Sequence, residues 1–240
     1  MFIHFKEIII EDKSSWSNKA ILTFDVDWAS DEVLQYVLDI VEAENVKCCF
    51  FVTHKTEVLQ RIKNNKKNEI GIHPNFNPIL NGSSKKTAEQ VLSDLKQIVP
   101  EAIVLRSHSL TTSGSWLGLY KKFGITYLSN YMMNGVDFIQ PFYQVNGIIE
   151  VPIYYADDGE VFLKDNPSIP RLITTTTIER PYDGIKVFNF HPIHIALNTT
   201  SYSQYQSVKS HQSSLSEIKK YRSLEIGCET FLKNLLKNDK

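Results

Sequence analysis

Two aspartates one residue apart stand in Thr23-Phe24-Asp25-Val26-Asp27-Trp28, directly after the apolar run Ala20-Ile21-Leu22. The run reads as a strand. Ala29-Ser30-Asp31-Glu32, which follows, reads as a helix start: a small polar cap, then acids in the first turn. In an extended chain, residues two apart face the same side, with Cα atoms roughly 6.5–7 Å apart. Two carboxylates at that separation repel by about 2–2.5 kcal/mol at an effective dielectric of about 20. A cation, a nearby arginine or a retained proton would offset that repulsion. The competing interpretation is that one aspartate caps the helix and the other is solvated.

Further polar residues close other apolar runs. His73 ends Glu69-Ile70-Gly71-Ile72-His73, Arg106 and His108 follow the run that begins at Ala102, and His191 ends the segment that begins at Gly184. A lone histidine at a strand end is more often a hydrogen-bonded structural residue than a ligand, and a lone arginine can be a structural ion-pair partner. Together they describe a site for a hard or borderline divalent ion with spare acid–base groups. Aromatic residues are dense near the same strand ends, among them Trp28, Phe76, Trp116, Tyr131 and Tyr155. Sugar rings stack on such faces, although most of these rings, taken one by one, read as core. Trp28, beside Asp27, is the strongest candidate for sugar contact.

These residues need a scaffold that brings strand ends together, and the hydrophobic pattern supplies one. The strand Ala20–Asp25 is followed by a helix over about 31–44 whose apolar face is Val33, Leu34, Val37, Leu38 and Val41. Val46 to Thr53 shows no polar alternation after Lys47, the mark of a strand buried on both faces. Further strands are expected at 69–73, 102–106, 124–128, 148–154 and 184–191, with helices at about 55–63, 87–98 and 114–123. A short strand is expected at Glu7 to Ile10. Residues 129–147 read as irregular. The segment carrying Pro167, Pro170, four consecutive threonines and Pro181 is too long for a plain connector and reads as a lid or part of the substrate site. Residues 198–213 read as mobile, and about 214–238 as a final amphipathic helix. One domain over 1–240 is expected, with its core at about 19–197. Such strand–helix alternation fits either a barrel or an open doubly wound α/β sheet. The polar residues at the C-terminal strand ends favour the barrel, where those ends share one mouth.

Composition excludes several classes. Lys and Arg number 26 against 27 Asp and Glu, and no basic run interleaves with aromatics, so no nucleic-acid partner is expected. The apolar runs are too short for an integral membrane segment. The first seven residues lack the layout of a signal peptide, so a cytoplasmic location is expected. Cys48, Cys49 and Cys228 form neither a disulfide framework nor a zinc pattern and read as buried free thiols. The sequon at Asn198 reads as chance.

Several stretches carry a family resemblance: Thr23-Phe24-Asp25-Val26-Asp27, Phe50-Phe51-Val52-Thr53, His73-Pro74-Asn75-Phe76-Asn77, Arg106-Ser107-His108-Ser109, Glu150-Val151-Pro152 and Asn189-Phe190-His191-Pro192. From about Lys19 to about Leu197 the chain resembles the polysaccharide deacetylase (NodB-homology) family of carbohydrate amide hydrolases, and within it the WbmS-like branch associated with bacterial O-antigen gene sets. The resemblance implies a distorted, incomplete (β/α)7-type barrel. It makes Asp25 the catalytic base, Asp27 and His73 metal ligands, Arg106 the residue that orients Asp25, and His191 the general acid, with His194 in reserve. Asn77 stands where the family has a second ligand histidine, and asparagine is a poor exchange for it toward zinc. His108, extra to the family's Arg-x-Pro, is the expected third ligand. Trp28, Asn77, Tyr155 and His194 are the expected substrate contacts. The implied cofactor is a divalent metal, zinc first, with cobalt, nickel or manganese as alternatives. The implied reaction removes an acetyl or formyl group from an amino sugar that is nucleotide-linked, lipid-linked or polymeric. Two rivals remain: a degenerate, sugar-binding barrel, favoured by Asn77, and a metal hydrolase of a non-sugar amide.

Overall fold

Residues that carry no polar alternation become strands buried on both faces. All of Cys48–Val52 is buried, as is all of Lys19–Asp25 but its first residue. The computed structural model describes residues 2–162 and 184–237. Its strands are β1 (Lys19–Asp25), β2 (Cys48–Val52), β3 (Asn68–Ile72), β4 (Val104–Leu105), β5 (Tyr127–Leu128), β6 (Phe142–Tyr143), β7 (Ile149–Glu150), β8 (Ile153–Ala156) and β9 (Ile185–Phe190). They form one sheet in the order β6-β7-β5-β4-β3-β2-β1-β9-β8. Among the described strands, only β6 runs antiparallel to its neighbour. The sheet curls into a half-barrel. Its open side is narrowed where the segment after β5 reaches β8: Met133 and Ile153 donate backbone N–H bonds to Ile153 and Tyr131.

Register decides which residues share the mouth. Asp25 lies opposite Phe51, Phe24 opposite Phe190, Val52 opposite Ile72, and Ile72 opposite Leu105. Asp25, His73, Arg106 and His191 therefore leave their strands at nearly one level. The helix Asp31–Ala43 buries the five apolar residues its spacing predicts.

Several elements differ from expectation. Glu7 to Ile10 is not a strand. Phe5–Glu7 is a single 3-10 turn, fixed because the buried Glu69 carboxylate accepts the Phe5 N–H at 2.8 Å, and the sheet's contact with this region is Phe2 beside Ala20. The helix expected from residue 55 begins at Leu59, and the one from 114 begins as a 3-10 turn before Leu117–Lys122. The strand expected over 148–154 breaks at Val151-Pro152, where proline has no N–H for the ladder, into β7 and β8. The irregular stretch contains β6. The stretch 198–213 contains a helix, Tyr202–Val208, whose Gln204 N–H is capped by the Ser201 hydroxyl. The final helix is two, Leu215–Lys220 and Cys228–Lys237. Between them Gly227 lies so close to Asn198 that a Cβ would stand 2.3 Å from its carbonyl. Asn198 is buried, and its side-chain oxygen caps the second helix by accepting the Glu229 and Thr230 N–H groups, so the sequon asparagine has a structural task. The proline- and threonine-rich segment read as a lid lies outside the described residues. All three cysteines are buried thiols, and none is in a disulfide. Among the described residues no helix is long and apolar enough to cross a membrane.

Candidate metal and acid–base site

The strand β1 ends at Asp25, and the chain then turns rather than staying extended: Asp27 has φ 45°, a left-handed conformation that aspartate tolerates better than most residues. The Thr53 hydroxyl donates to the Asp27 carbonyl and pins the turn. This directs Asp27 Oδ1 to 3.3 Å from His73 Nε2 and 3.2 Å from His108 Nδ1. The backbone N–H groups of His73 and His108 donate to Val52 and Pro74, which fixes both rings relative to β2 and β3. Ligand atoms bonded at about 2.0–2.1 Å to a tetrahedral ion stand about 3.3 Å apart. Both separations to Asp27 match that spacing, all three ligand atoms lie within 4.8 Å of one another, and two imidazoles with one carboxylate are a donor set that suits such an ion. Burial pushes the Asp27 carboxyl up, but hydrogen bonds from His108 and His73 outweigh this and hold it far below the usual carboxylate range.

Asp25 has different partners. Arg106, fully buried, donates from one terminal nitrogen to Asp25 Oδ1 at 3.0 Å, Thr23 Oγ1 at 2.8 Å and Asn189 Oδ1 at 2.5 Å. Its remaining nitrogens donate to the Ser129 carbonyl and hydroxyl, and its guanidinium lies 4.4 Å over the Phe51 ring. The second Asp25 oxygen accepts from the Asn189 amide at 2.8 Å. Burial opposes the charge, yet the Arg106 guanidinium wins and lowers the Asp25 carboxyl below its usual range. The arrangement keeps an ionised carboxylate in one orientation. Gly71 is needed beneath it, since a Cβ there would stand 2.7 Å from the Phe51 ring.

His191 follows β9. Its Nδ1 lies 2.7 Å from Asp157 Oδ1, while its Nε2 lies 3.8 Å from Asp25 and 3.8 Å from Asp27. Burial would lower its pKa, but Asp157 and then Asp158 raise it well above the ordinary imidazole value. With Nδ1–H committed to Asp157, Nε2 is the nitrogen that faces the aspartates with a transferable proton. His194 is also buried, 3.1 Å from the Thr199 hydroxyl, and burial lowers its pKa. Asp157, His191 and His194 lie close enough to form a second triad, although the Asp157 bond occupies His191 Nδ1. Sequence reasoning missed Asp157 and left Asn189 without a role. The signal for Asp157 is present: Tyr154-Tyr155-Ala156-Asp157-Asp158 repeats the pattern of an apolar strand opening onto carboxylates.

The other candidates divide. Trp28 is 58% exposed and sets its edge against the His108 ring, with centroids 5.1 Å apart. Asn77 stands apart from the three ligand atoms; its amide nitrogen donates to the Ser109 hydroxyl, and its oxygen accepts from the Thr111 hydroxyl, each at 3.1 Å. Tyr155 does not reach the site. It is fully buried against Phe188, Phe190 and Phe231, because its position in β8 faces the helix side of the sheet. The ligand atoms, Asp25 and His191 open onto a cavity of about 290 Å³, whose wall also includes Asp158, His194 and Tyr205.

The sequence profile of the WbmS-like polysaccharide deacetylases matches residues 22–209. The chain belongs to this family. The matched region of this WbmS-like chain contains every residue of the cluster from Asp25 to His191. A crystal structure from Bordetella bronchiseptica, described as a candidate polysaccharide deacetylase involved in O-antigen biosynthesis, is 31% identical with a TM-score of 0.90. The match covers 100% of this chain and 98% of that one. A Mycobacterium smegmatis structure described as a candidate polysaccharide deacetylase is 19% identical, covering 72% of this chain and 77% of that one, with a TM-score of 0.47. The Bc1960 peptidoglycan N-acetylglucosamine deacetylase is 14% identical, covering 85% and 81%, with a TM-score of 0.44. No curated protein matches the sequence.

Proposed function

We propose that the protein is a metal-dependent hydrolase that removes an acetyl or formyl group from the nitrogen of an amino sugar in bacterial surface-polysaccharide metabolism. One observation carries this reading: the ligand atoms of Asp27, His73 and His108 converge within 4.8 Å of one another beside an arginine-held carboxylate and a carboxylate-held imidazole. Membership of the deacetylase family supports an N-acylated sugar as substrate. Asp27, His73 and His108 would hold a divalent ion, zinc by the donor set, which would lower the pKa of a bound water and polarise the amide carbonyl. Asp25 takes the proton of the attacking water, and Arg106 and Asn189 hold its carboxylate for that transfer. His191 Nε2 delivers a proton to the departing sugar amine, which would otherwise leave as a poor anion. Asp157 keeps that proton available and the ring aimed. The exposed face of Trp28, beside His108, offers a surface on which a sugar ring can stack.

The test pairs metal analysis with product analysis. Protein purified without chelator should carry near-stoichiometric zinc, cobalt, nickel or manganese, and Asp27→Ala should lose it. The metal-loaded protein should release acetate or formate from N-acyl amino sugars supplied in nucleotide-linked, lipid-linked and polymeric form. Absence of metal even after reconstitution would overturn the reading in favour of a sugar-binding barrel.

A further inference from the structure

His108 reaches Asp27 from an unusual piece of backbone. The turn 107–111 holds two consecutive non-glycine residues in the left-handed region, Ser109 at φ 57° and Leu110 at φ 51°. A leucine there is a steric outlier that persists only when its surroundings over-determine it. Within the turn, Leu110 N–H donates to the Ser107 carbonyl, and the Ser107 hydroxyl donates to the Thr111 carbonyl. Those bonds close the turn without fixing where it sits over the mouth.

Two asparagines fix that position from opposite sides. The strand β4 lies between β3 and β5, so the loops that follow β3 and β5 flank the turn that follows β4. From the β3 side, Asn77 bonds the hydroxyls of Ser109 and Thr111, each at 3.1 Å. From the β5 side, the side-chain oxygen of the buried Asn130 accepts the Ser107 N–H at 2.8 Å and lies 3.1 Å from the Ser107 hydroxyl oxygen. Asn130 is itself held where the Glu150 carboxylate accepts its N–H at 2.6 Å. Asn77 and Asn130 thus grip the residues on either side of His108, and neither touches the ligand atoms.

We propose that Asn77 and Asn130 are positioning residues that set the metal affinity of the site by clamping the strained turn 107–111 with His108 in ligating geometry. This rests on the reading of Asp27, His73 and His108 as the ligands. It also gives Asn77 a task other than coordination: the side chain fastens the loop that presents the ligand.

The experiment is a zinc competition titration of the wild type, Asn77→Ala, Asn130→Ala, His108→Ala, and each asparagine variant combined with His108→Ala. Losing an outer partner of a metal ligand typically weakens binding by about 10–100-fold, so each asparagine variant should lose roughly that much. Because both act through His108, neither should weaken zinc binding further in the His108→Ala background. The pair Ser109→Ala/Thr111→Val removes the same bonds from the turn side and should reproduce the Asn77→Ala loss, which guards against a folding defect around Asn77. Visible spectra of the cobalt-loaded variants should lose intensity characteristic of tetrahedral coordination in parallel. Zinc affinity unchanged in Asn77→Ala and Asn130→Ala, with a clear loss in His108→Ala, would overturn the clamp and leave the ligand set standing. Losses that add fully to that of His108→Ala would also overturn it. Unchanged affinity in His108→Ala itself would overturn both the clamp and the ligand reading.

Discussion

Glu150 offers a test whose size follows from the structure. Its side chain is fully buried in β7, where one oxygen accepts the Asn130 N–H at 2.6 Å and the other faces the Gln144 amide at 3.4 Å. Burial pushes its carboxyl from the ordinary 4.5 up to about 7; the bonds from Asn130 and Gln144 offset only part of the cost of burying the charge. That rise, at about 1.36 kcal/mol per pKa unit, is worth about 3 kcal/mol. Between pH 4.5 and 7 the folded protein binds this proton more tightly than the unfolded chain does, so stability falls as pH rises. The contribution is fully present below about pH 4.5 and is lost as pH passes through about 7. Glu150→Gln imitates the neutral acid and removes the titration. Urea unfolding of both proteins at pH 5 and pH 8 should show the wild type losing about 2.5 kcal/mol more than the variant across that interval. Parallel curves would refute the argument and show that Glu150 stays ionised or finds water.

Three further outcomes follow. Asp25→Asn should abolish amide hydrolysis while metal content stays that of the wild type; full activity would remove Asp25 from the role of base. Asp157→Asn removes the charge that raises the His191 pKa. Because the acid works protonated, the alkaline limb of the kcat/KM profile should move to lower pH, and an unmoved limb would count against His191 as the acid. Gly71→Ala forces a Cβ to 2.7 Å from the Phe51 ring and 3.0 Å from the Val104 carbonyl. The overpacking should cost about 1–3 kcal/mol in thermal or urea unfolding and loosen Arg106 above that ring; no loss would show that the ring shifts freely.

The barrel class was legible because parallel strands buried on both faces leave long apolar runs, and β1 and β2 are of that kind. Short strands were harder. In β4, β5 and β7 two residues pair, so local pattern gave their place but not their bounds. The turn at Glu7 was hidden because its partner, Glu69, lies far along the chain. The helix within 198–213 was hidden for a different reason: polar composition suggested solvation, whereas local caps such as Ser201 hold the helix.

The same division runs through the site. Residue types and their places at strand ends are local properties, and Asp25, Asp27, His73, Arg106 and His191 stood out in the chain on that basis. Which strand ends meet, and which atom of each side chain faces which neighbour, depends on register between segments remote in sequence. That register puts Arg106 on Asp25 and Asn189, Asp157 behind His191, and Asn77 on the turn of His108 rather than among the ligand atoms. It also buries Tyr155, an aromatic that sequence alone left eligible for the substrate. Chemistry is written in residue types, but direction is not, because a side chain points where packing and hydrogen bonds from other strands allow it to point.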